Sequence, residues 1–119
     1  MKKTIFVVED NDDIRELVEY LLEIEDFEVT GFANASQFES QINNQHPDLI
    51  LLDVMLPDGN GIDICSRLKK DQTTHQIPVL LMSANTNVAN IIEESKADDF
   101  VSKPFDIDHL VKRVKLLIS

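Results

Sequence analysis

The chain has 119 residues, enough for one globular domain, with 43% hydrophobic residues and a net charge of −11. Its single cysteine, Cys65, excludes an internal disulfide framework, and its apolar runs fall far short of the roughly twenty residues that span a bilayer. Between residues 4 and 66, 15 acidic residues accompany one base, Arg15, which argues against direct nucleic-acid binding because such binding requires phosphate neutralisation. We therefore expect a cytoplasmic single domain, residues 1–119, with neither a membrane nor a nucleic-acid partner.

The predicted strands and helices alternate along the chain. Short apolar runs predict five strands, over residues 4–8, 27–33, 48–52, 78–82 and 100–102. Apolar residues at helical spacing predict a helix after each strand: over 12–25, from a cap at Asn34 as far as 46–47, over 64–68, over 88–92, and from a cap at Asp106 to 118. The Gly- and Pro-containing segment 57–61 predicts a turn.

This alternation predicts the fold class. Continuous apolar strands that alternate with amphipathic helices are typical of an α/β protein whose parallel sheet is covered on both faces. Five strands and five helices favour a flavodoxin-like doubly wound sheet in the order 2-1-3-4-5, with the more polar second strand at an edge. Sheets of this kind bind ligands at the carboxyl ends of their strands. Candidate functional residues are therefore those that follow each strand.

Polar residues follow four of the predicted strands. Glu9 and Asp10 follow the first strand, Asp53 the third, Ser83 the fourth and Lys103 the fifth. Three carboxylates brought together repel one another unless a cation joins them, and Mg²⁺ prefers such oxygen ligands. A cation, a lysine and a hydroxyl that face one carboxylate are the groups that phosphoryl transfer requires.

Each of these residues also has an ordinary structural interpretation. Glu9 and Asp10 could be the acids that favour a helix N-terminus, and Asp53 could cap a loop. Ser83 could be a turn residue, and Lys103 could be a solvated charge. Their joint placement at the ends of different strands favours a functional site.

Four segments carry a resemblance to a known family. They are residues 7–11 (VVEDN), 49–61 (LILLDVMLPDGNG), 81–84 (LMSA) and 97–105 (ADDFVSKPF). With these segments, essentially the whole chain resembles a bacterial two-component response-regulator receiver domain of the chemotaxis-regulator kind. Asp-x-x-x-Pro-x-x-x-Gly together with Lys-Pro-Phe is specific to that family when both motifs lie at these strand ends.

The resemblance implies a role for each acidic residue. Asp53 is the implied phosphoacceptor, which receives a phosphoryl group from a histidine kinase or a histidine phosphotransfer protein. Mg²⁺ is the implied cofactor, bound by Asp10, Asp53 and the backbone carbonyl of Met55, with Glu9 acting through water. The family is not enzymatic toward a separate substrate, although a receiver promotes its own phosphoryl transfer and a slow autodephosphorylation.

The resemblance also assigns the remaining strand-end residues. Ser83 hydrogen-bonds the phosphoryl group, and Lys103 forms an ion pair with it. The resemblance also implies a cis peptide bond between Lys103 and Pro104, which aims the lysine side chain. Ser83 and Phe100 are the switch residues, with phenylalanine where the family often has tyrosine. The alternative for Phe100 is a strand residue packed on the last helix. The implied output surface comprises the fourth helix, fifth strand and fifth helix, which would contact a downstream effector protein or a missing output domain.

The sequence departs from the family pattern between Ser83 and Lys103. Lys96 stands where the family usually has glycine, and the segment is shorter than the common pattern. Two residues are expected to overhang the path of an attacking water: the apolar Met55, which cannot orient it, and the polar Asn85.

Three other functions compete with a phosphorylated receiver. A phosphohydrolase that uses a strand-end aspartate would place an acid at position 55, where this chain has Met55. A flavin-binding module would need a phosphate-binding loop after the first strand, where residues 9–13 are largely acidic. A receiver-like scaffold that is never phosphorylated would not need the full set of acids, hydroxyl and lysine.

Overall fold

The computed structural model describes residues 2–84 and 87–118, apart from the side chain of Val88. The elements follow one another in this order: β1 (Thr4–Val8), α1 (Asp12–Ile24), β2 (Glu28–Phe32), α2 (Ala35–Ile42), β3 (Leu49–Asp53), β4 (Met55–Leu56), β5 (Gly59–Asn60), α3 (Gly61–Lys70), β6 (Val79–Ser83), α4 (Val88–Ser95), β7 (Asp99–Ser102) and α5 (Ile107–Ile118). All five predicted strands and all five predicted helices are present.

Five of the strands form one parallel sheet in the order β2-β1-β3-β6-β7. Since β6 and β7 are the fourth and fifth strands of this sheet, the order is the predicted 2-1-3-4-5. The second strand lies at an edge, as its polar residues predicted. The carboxyl ends of β1, β3, β6 and β7 consequently lie along one edge of the sheet, which we call the carboxyl edge.

The core consists of two apolar layers, one on each face of the sheet. Along β1, Phe6 and Val8 face the layer beneath α2, α3 and α4, whereas Ile5 and Val7 face the layer beneath α1 and α5. This alternation follows from the two-residue period of a strand. The burial of both faces explains why β1, β3 and β6 are almost continuously apolar.

The segment predicted as a turn contains one at residues 57–58, where it joins the two strands of a small antiparallel hairpin. β4 and β5 pair Met55 with Asn60 and Leu56 with Gly59. Asp58, at the turn between them, accepts hydrogen bonds from the backbone N–H groups of Ala35 and Ser36 at 2.8 and 3.0 Å. The hairpin is therefore held against the first turn of α2, a contact between distant residues that local turn signals do not report.

Several boundaries differ slightly from the prediction. The third and fourth strands are each shifted by one residue, to Leu49–Asp53 and Val79–Ser83. Asp48 lies directly before the strand, and its carboxylate accepts hydrogen bonds from the N–H and hydroxyl of Thr4. Helix α2 ends at Ile42, before the predicted stop at residues 46–47.

The predicted helix caps are confirmed. The side chain of Asn34 accepts from the N–H of Gln37 at 2.9 Å, and that of Asp106 accepts from the N–H of His109 at 3.2 Å. At the C-terminus of α4, Lys96 has a left-handed backbone with φ of 62°. This conformation explains the glycine that the family usually has there. Within residues 2–84 and 87–118, no helix has the length and apolar character needed to cross a bilayer.

Candidate functional site

Three carboxylates meet at the carboxyl edge of the sheet. Glu9 directly follows β1, Asp10 is the next residue, and Asp53 ends β3. One oxygen from each lies within 4.8 Å of the others. Glu9 and Asp53 are only 1% and 5% exposed, whereas Asp10 faces solvent. The structure thus brings together the three acids that strand order predicted as neighbours, in a pocket that is open at Asp10.

Lys103 joins two of these carboxylates. Its Nζ donates to Oε1 of Glu9 and, at 3.0 Å, to Oδ2 of Asp53. Burial acts to lower the pKa of Lys103, but the hydrogen bonds to Glu9 and Asp53 outweigh it, so the pKa lies above its usual value. The side chain is therefore a cation at neutral pH. The peptide bond between Lys103 and Pro104 is cis, as the resemblance implies.

Backbone contacts place Asp53 at the base of the pocket. Its Oδ1 accepts from the N–H of Met55 at 3.2 Å. Its carbonyl lies so close to Gly61 that an added Cβ would be 2.3 Å from the oxygen, which leaves room only for glycine. Met55, at the start of the hairpin, is 77% exposed. The other residue expected to overhang the pocket, Asn85, lies outside the described residues.

The two predicted switch residues lie at different places. Ser83 is buried at the end of β6, and its carbonyl accepts from the N–H of Lys103 at 2.9 Å. Phe100 is buried in the layer that contains Ile91 of α4. The alternative interpretation, packing of Phe100 on the last helix, is wrong: Leu110 of α5 belongs to the layer on the opposite face. The strand alternation places Val101, not Phe100, on that face.

The donor set fits a divalent cation. Three carboxylates and one ammonium leave a formal charge of −2 in a pocket where Glu9 and Asp53 are buried and Asp10 is exposed. Carboxylate oxygens are hard ligands, which Mg²⁺ prefers, and the exposed Asp10 leaves space for the waters that Mg²⁺ retains. The cluster could therefore hold a metal ion.

An apolar groove with a volume of about 360 Å³ adjoins the pocket. The residues that line it come from α1, from the end of β6 and from the segment after β7: Ile14, Leu17, Ala84, Lys103, Pro104 and Phe105. Because Lys103 belongs to both the groove and the acidic pocket, an apolar surface is available directly beside Asp53. The sequence did not reveal this groove, since its residues are far apart along the chain.

Arg15 is a further residue whose position the sequence did not reveal. Its guanidinium donates to the backbone carbonyl of Glu9 at 2.9 Å. The only signal in the sequence was that Arg15 is the single basic residue between positions 4 and 66, a segment with 15 acidic residues.

Comparison with known proteins agrees with this arrangement. The family model for the response regulator receiver domain matches residues 5–115. The phosphate regulon transcriptional regulatory protein PhoB of Pseudomonas aeruginosa is 40% identical over 118 residues, which cover 98% of this chain and 52% of that protein. The chain thus spans about half the length of the curated relatives that it matches.

Solved structures that resemble this chain are also response regulators or receiver domains. A putative response regulator from Chloroflexus aurantiacus has a TM-score of 0.92 and 30% identity, with 99% of this chain and 98% of that chain covered. The receiver domain of a signal transduction histidine kinase from Syntrophus aciditrophicus has a TM-score of 0.88 and 28% identity, with 98% and 89% covered. Domains of this kind are phospho-accepting signalling modules rather than enzymes that act on a separate substrate. The chain belongs to the response regulator receiver domain family.

Proposed function

We propose that Asp53 accepts a phosphoryl group from the phosphohistidine of a histidine kinase or a histidine phosphotransfer protein. The observation that carries this proposal is the buried Asp53 carboxylate beside Lys103 and two further acids. An oxygen of Asp53 forms a bond to phosphorus while the phosphorus–nitrogen bond breaks, and its electron pair leaves with the imidazole. The product is an acyl phosphate on Asp53 and a free histidine on the donor.

We propose Mg²⁺ as the cofactor of this transfer. Asp10, Asp53 and the backbone carbonyl of Met55 would bind the ion directly, and Glu9 would act through water. When bound, the ion supplies positive charge that offsets the negative charge of the phosphoryl oxygens. The formal charge of −2 in the pocket supports a divalent rather than a monovalent cation.

Lys103 and Ser83 complete the proposed site. The raised pKa of Lys103 supports its role as a permanent cation that can turn from Asp53 to the incoming phosphoryl group. Ser83, at the end of the neighbouring β6, would supply a hydroxyl donor to the same group. Both residues are therefore positioning and charge-stabilising groups for a step in which Asp53 forms the new bond.

The apolar groove beside the pocket supports docking of the phosphodonor protein there. Leu17 and Phe105 place apolar surface next to Lys103, so a partner that covers them would bring its histidine close to Asp53. A donor docked in this way would exclude water from the reacting groups. We place this encounter in the cytoplasm.

We further propose that phosphorylation changes the surface formed by α4, β7 and α5, which contacts an effector protein or an output domain. Ser83 ends β6 and Lys103 directly follows the adjacent β7, and Arg113 of α5 donates to Asp99 of β7 at 3.2 Å, so movement at the site can reach α5. Amide shifts recorded with beryllofluoride, a phosphoryl mimic, should change over residues 96–113. Changes confined to residues 9–11 and 53–58 would contradict this switch.

Phosphorylation of Asp53 is tested by incubation with acetyl phosphate and Mg²⁺, followed by intact mass spectrometry. The wild-type protein should gain a single phosphoryl group, and Asp53→Asn should gain none. Asp63→Asn, which alters an exposed acid in the first turn of α3, is the matched control and should be phosphorylated normally. A full-yield adduct on Asp53→Asn would refute the assignment of the phosphoacceptor.

The same experiment separates the alternatives. A scaffold that is never phosphorylated would gain no mass in any variant. A phosphohydrolase would release inorganic phosphate with many turnovers and without a stable adduct. The exposed thioether of Met55, where such an enzyme needs an acid, argues against hydrolysis.

A further inference from the structure

Arg15 connects the first helix to the acidic pocket. Its Nη1 donates to the backbone carbonyl of Glu9 at 2.9 Å, and its Nη2 donates to Oδ1 of Asp12 at 2.7 Å. Its Nε lies 3.8 Å from Oε1 of Glu19. The side chain is thus held at three points and is largely buried, although it belongs to the most acidic part of the chain.

Asp10 is the residue that this contact can position. Within residues 2–84 and 87–118, no hydrogen bond holds its carboxylate, so the backbone at Glu9 and Asp10 is what directs this side chain. The carbonyl of Glu9 and the Cα of Asp10 belong to the same planar peptide unit. A hydrogen bond that fixes the direction of the Glu9 carbonyl therefore also fixes the position of the Asp10 Cα, from which the side chain extends.

The neighbouring strand leaves room for this arrangement. At Gly31 of β2, an added Cβ would lie 1.7 Å from Oε1 of Glu19 and 3.1 Å from Cδ of Arg15. The absence of a side chain lets both groups lie over the strand. A lysine in place of Arg15 would keep the charge but lose the planar fork that reaches several acceptors at once.

We propose that Arg15 is a positioning residue, which holds the peptide between Glu9 and Asp10 so that the Asp10 carboxylate faces a Mg²⁺ ion. The inference rests on the metal site proposed above and adds a residue to it. The charge of Arg15 and its positioning role have opposite effects on the affinity for Mg²⁺. Loss of the Arg15 charge close to the acidic pocket would tighten cation binding, whereas loss of its hydrogen bond to the Glu9 carbonyl would weaken it.

Calorimetric titration of Mg²⁺ into folded protein shows whether replacing Arg15 weakens or tightens Mg²⁺ binding. Arg15→Gln should bind Mg²⁺ about tenfold more weakly than wild type, the low end of the loss seen when groups that orient metal ligands are removed. Arg15→Lys should be intermediate. Arg67→Gln removes the same charge from a residue that pairs with Glu39 on α2, and should bind as wild type does. Unchanged or tighter binding by Arg15→Gln overturns the proposal.

A second readout separates positioning from stability. In the acetyl phosphate reaction, Arg15→Gln should need more Mg²⁺ for half-maximal rate yet reach the wild-type rate at saturation. A lower rate at saturation with an unchanged Mg²⁺ requirement would contradict the role. If Arg15→Gln does not fold, Arg15→Lys carries both measurements, with weaker Mg²⁺ binding expected. A wild-type protein that binds no Mg²⁺ refutes the metal site and this inference, whereas normal wild-type binding with no Arg15 effect refutes only the inference.

Discussion

Two largely buried lysines lie at opposite edges of the sheet. At the carboxyl edge, Lys103 contacts Glu9 and Asp53, with Asp10 close by. At the opposite edge, Lys69 of α3 donates to the carboxylate of Asp98 at 2.7 Å and to the carbonyl of Ile77 at 2.8 Å. The two side chains are similarly buried, at 18% and 13% exposure. Residue type and burial therefore do not distinguish the lysine of the proposed site from the lysine of a structural ion pair.

The difference lies in the balance of charge. Asp98, the partner of Lys69, also accepts from the N–H of Val79 at 2.8 Å, so one cation is matched by one carboxylate, whose Oδ2 accepts from both. At the carboxyl edge, one cation faces three carboxylates. A matched pair stabilises the connection between α3, β6 and β7, whereas an excess of negative charge leaves a site that a metal ion can complete.

The largest expected effect on stability is at the matched pair. Lys69→Met should lower the free energy of unfolding by about 2 kcal/mol, because the Ile77 carbonyl loses its lysine donor and Asp98 loses its counter-charge and keeps only the N–H of Val79; partial exposure of Asp98 lets water replace some of the loss. The loss should be the same with and without Mg²⁺. Urea denaturation measures it, with exposed Lys70→Met as the control. An equal loss in the control would remove the special role of Lys69.

A smaller effect on stability is expected from Mg²⁺ binding at the carboxyl edge, where the three carboxylates outnumber Lys103. The ion relieves repulsion among the carboxylates, so at tenfold excess over its dissociation constant it should stabilise the wild-type fold by about 1.4 kcal/mol. Asp10→Ala should abolish this gain, and Lys69→Met should retain it. Thermal melts with and without Mg²⁺ provide the measurement. Equal gains in wild type and Asp10→Ala would mean that the ion binds elsewhere.

Asp58 extends the comparison to a carboxylate whose partners are backbone N–H groups. Hydrogen bonds from Ala35 and Ser36 lower the pKa of Asp58 below its usual value. A lowered folded-state pKa means that the stabilisation is present above the unfolded-state pKa and is lost as the pH falls through the folded-state value. Wild type should therefore exceed Asp58→Asn in stability at neutral pH, and the difference should shrink in acid. Denaturation across a pH series tests this; a difference independent of pH would contradict it.

The smallest expected effect concerns the lifetime of the acyl phosphate. Met55 is exposed beside Asp53 and cannot orient an attacking water by hydrogen bonding. We expect Met55→Asn to lose its phosphoryl group about threefold faster, a change of less than one power of ten in rate. Loss of label in Mg²⁺ without a phosphatase is the measurement. An unchanged or slower rate in Met55→Asn would refute this role of Met55.

The strand-end residues were predictable because β1, β3 and β6 are nearly continuous apolar runs with abrupt polar ends, and the shorter β7 leads into the Lys-Pro-Phe motif. Glu9, Asp53 and Lys103 therefore stood out from the sequence, and parallel pairing brings such ends to one edge. Phe100 was harder to interpret, since its face depends on the register of β7, which short runs define poorly. The structural role of Lys69 left no signal, because its partners follow 6 to 29 residues later in the chain.

By itself, the sequence determined the alternation of strands and helices, the caps at Asn34 and Asp106, and the residues at the strand ends. These features depend on short-range periodicity and on backbone preferences that act within a few residues. Tertiary structure decided what those residues contact. Lys103 meets Glu9 across 94 positions and Asp53 across 50, and Asp58 meets Ala35 across 23. Only the packed sheet brings such distant groups within hydrogen-bonding range, and only there does the excess of negative charge arise that distinguishes the acidic pocket from a structural ion pair.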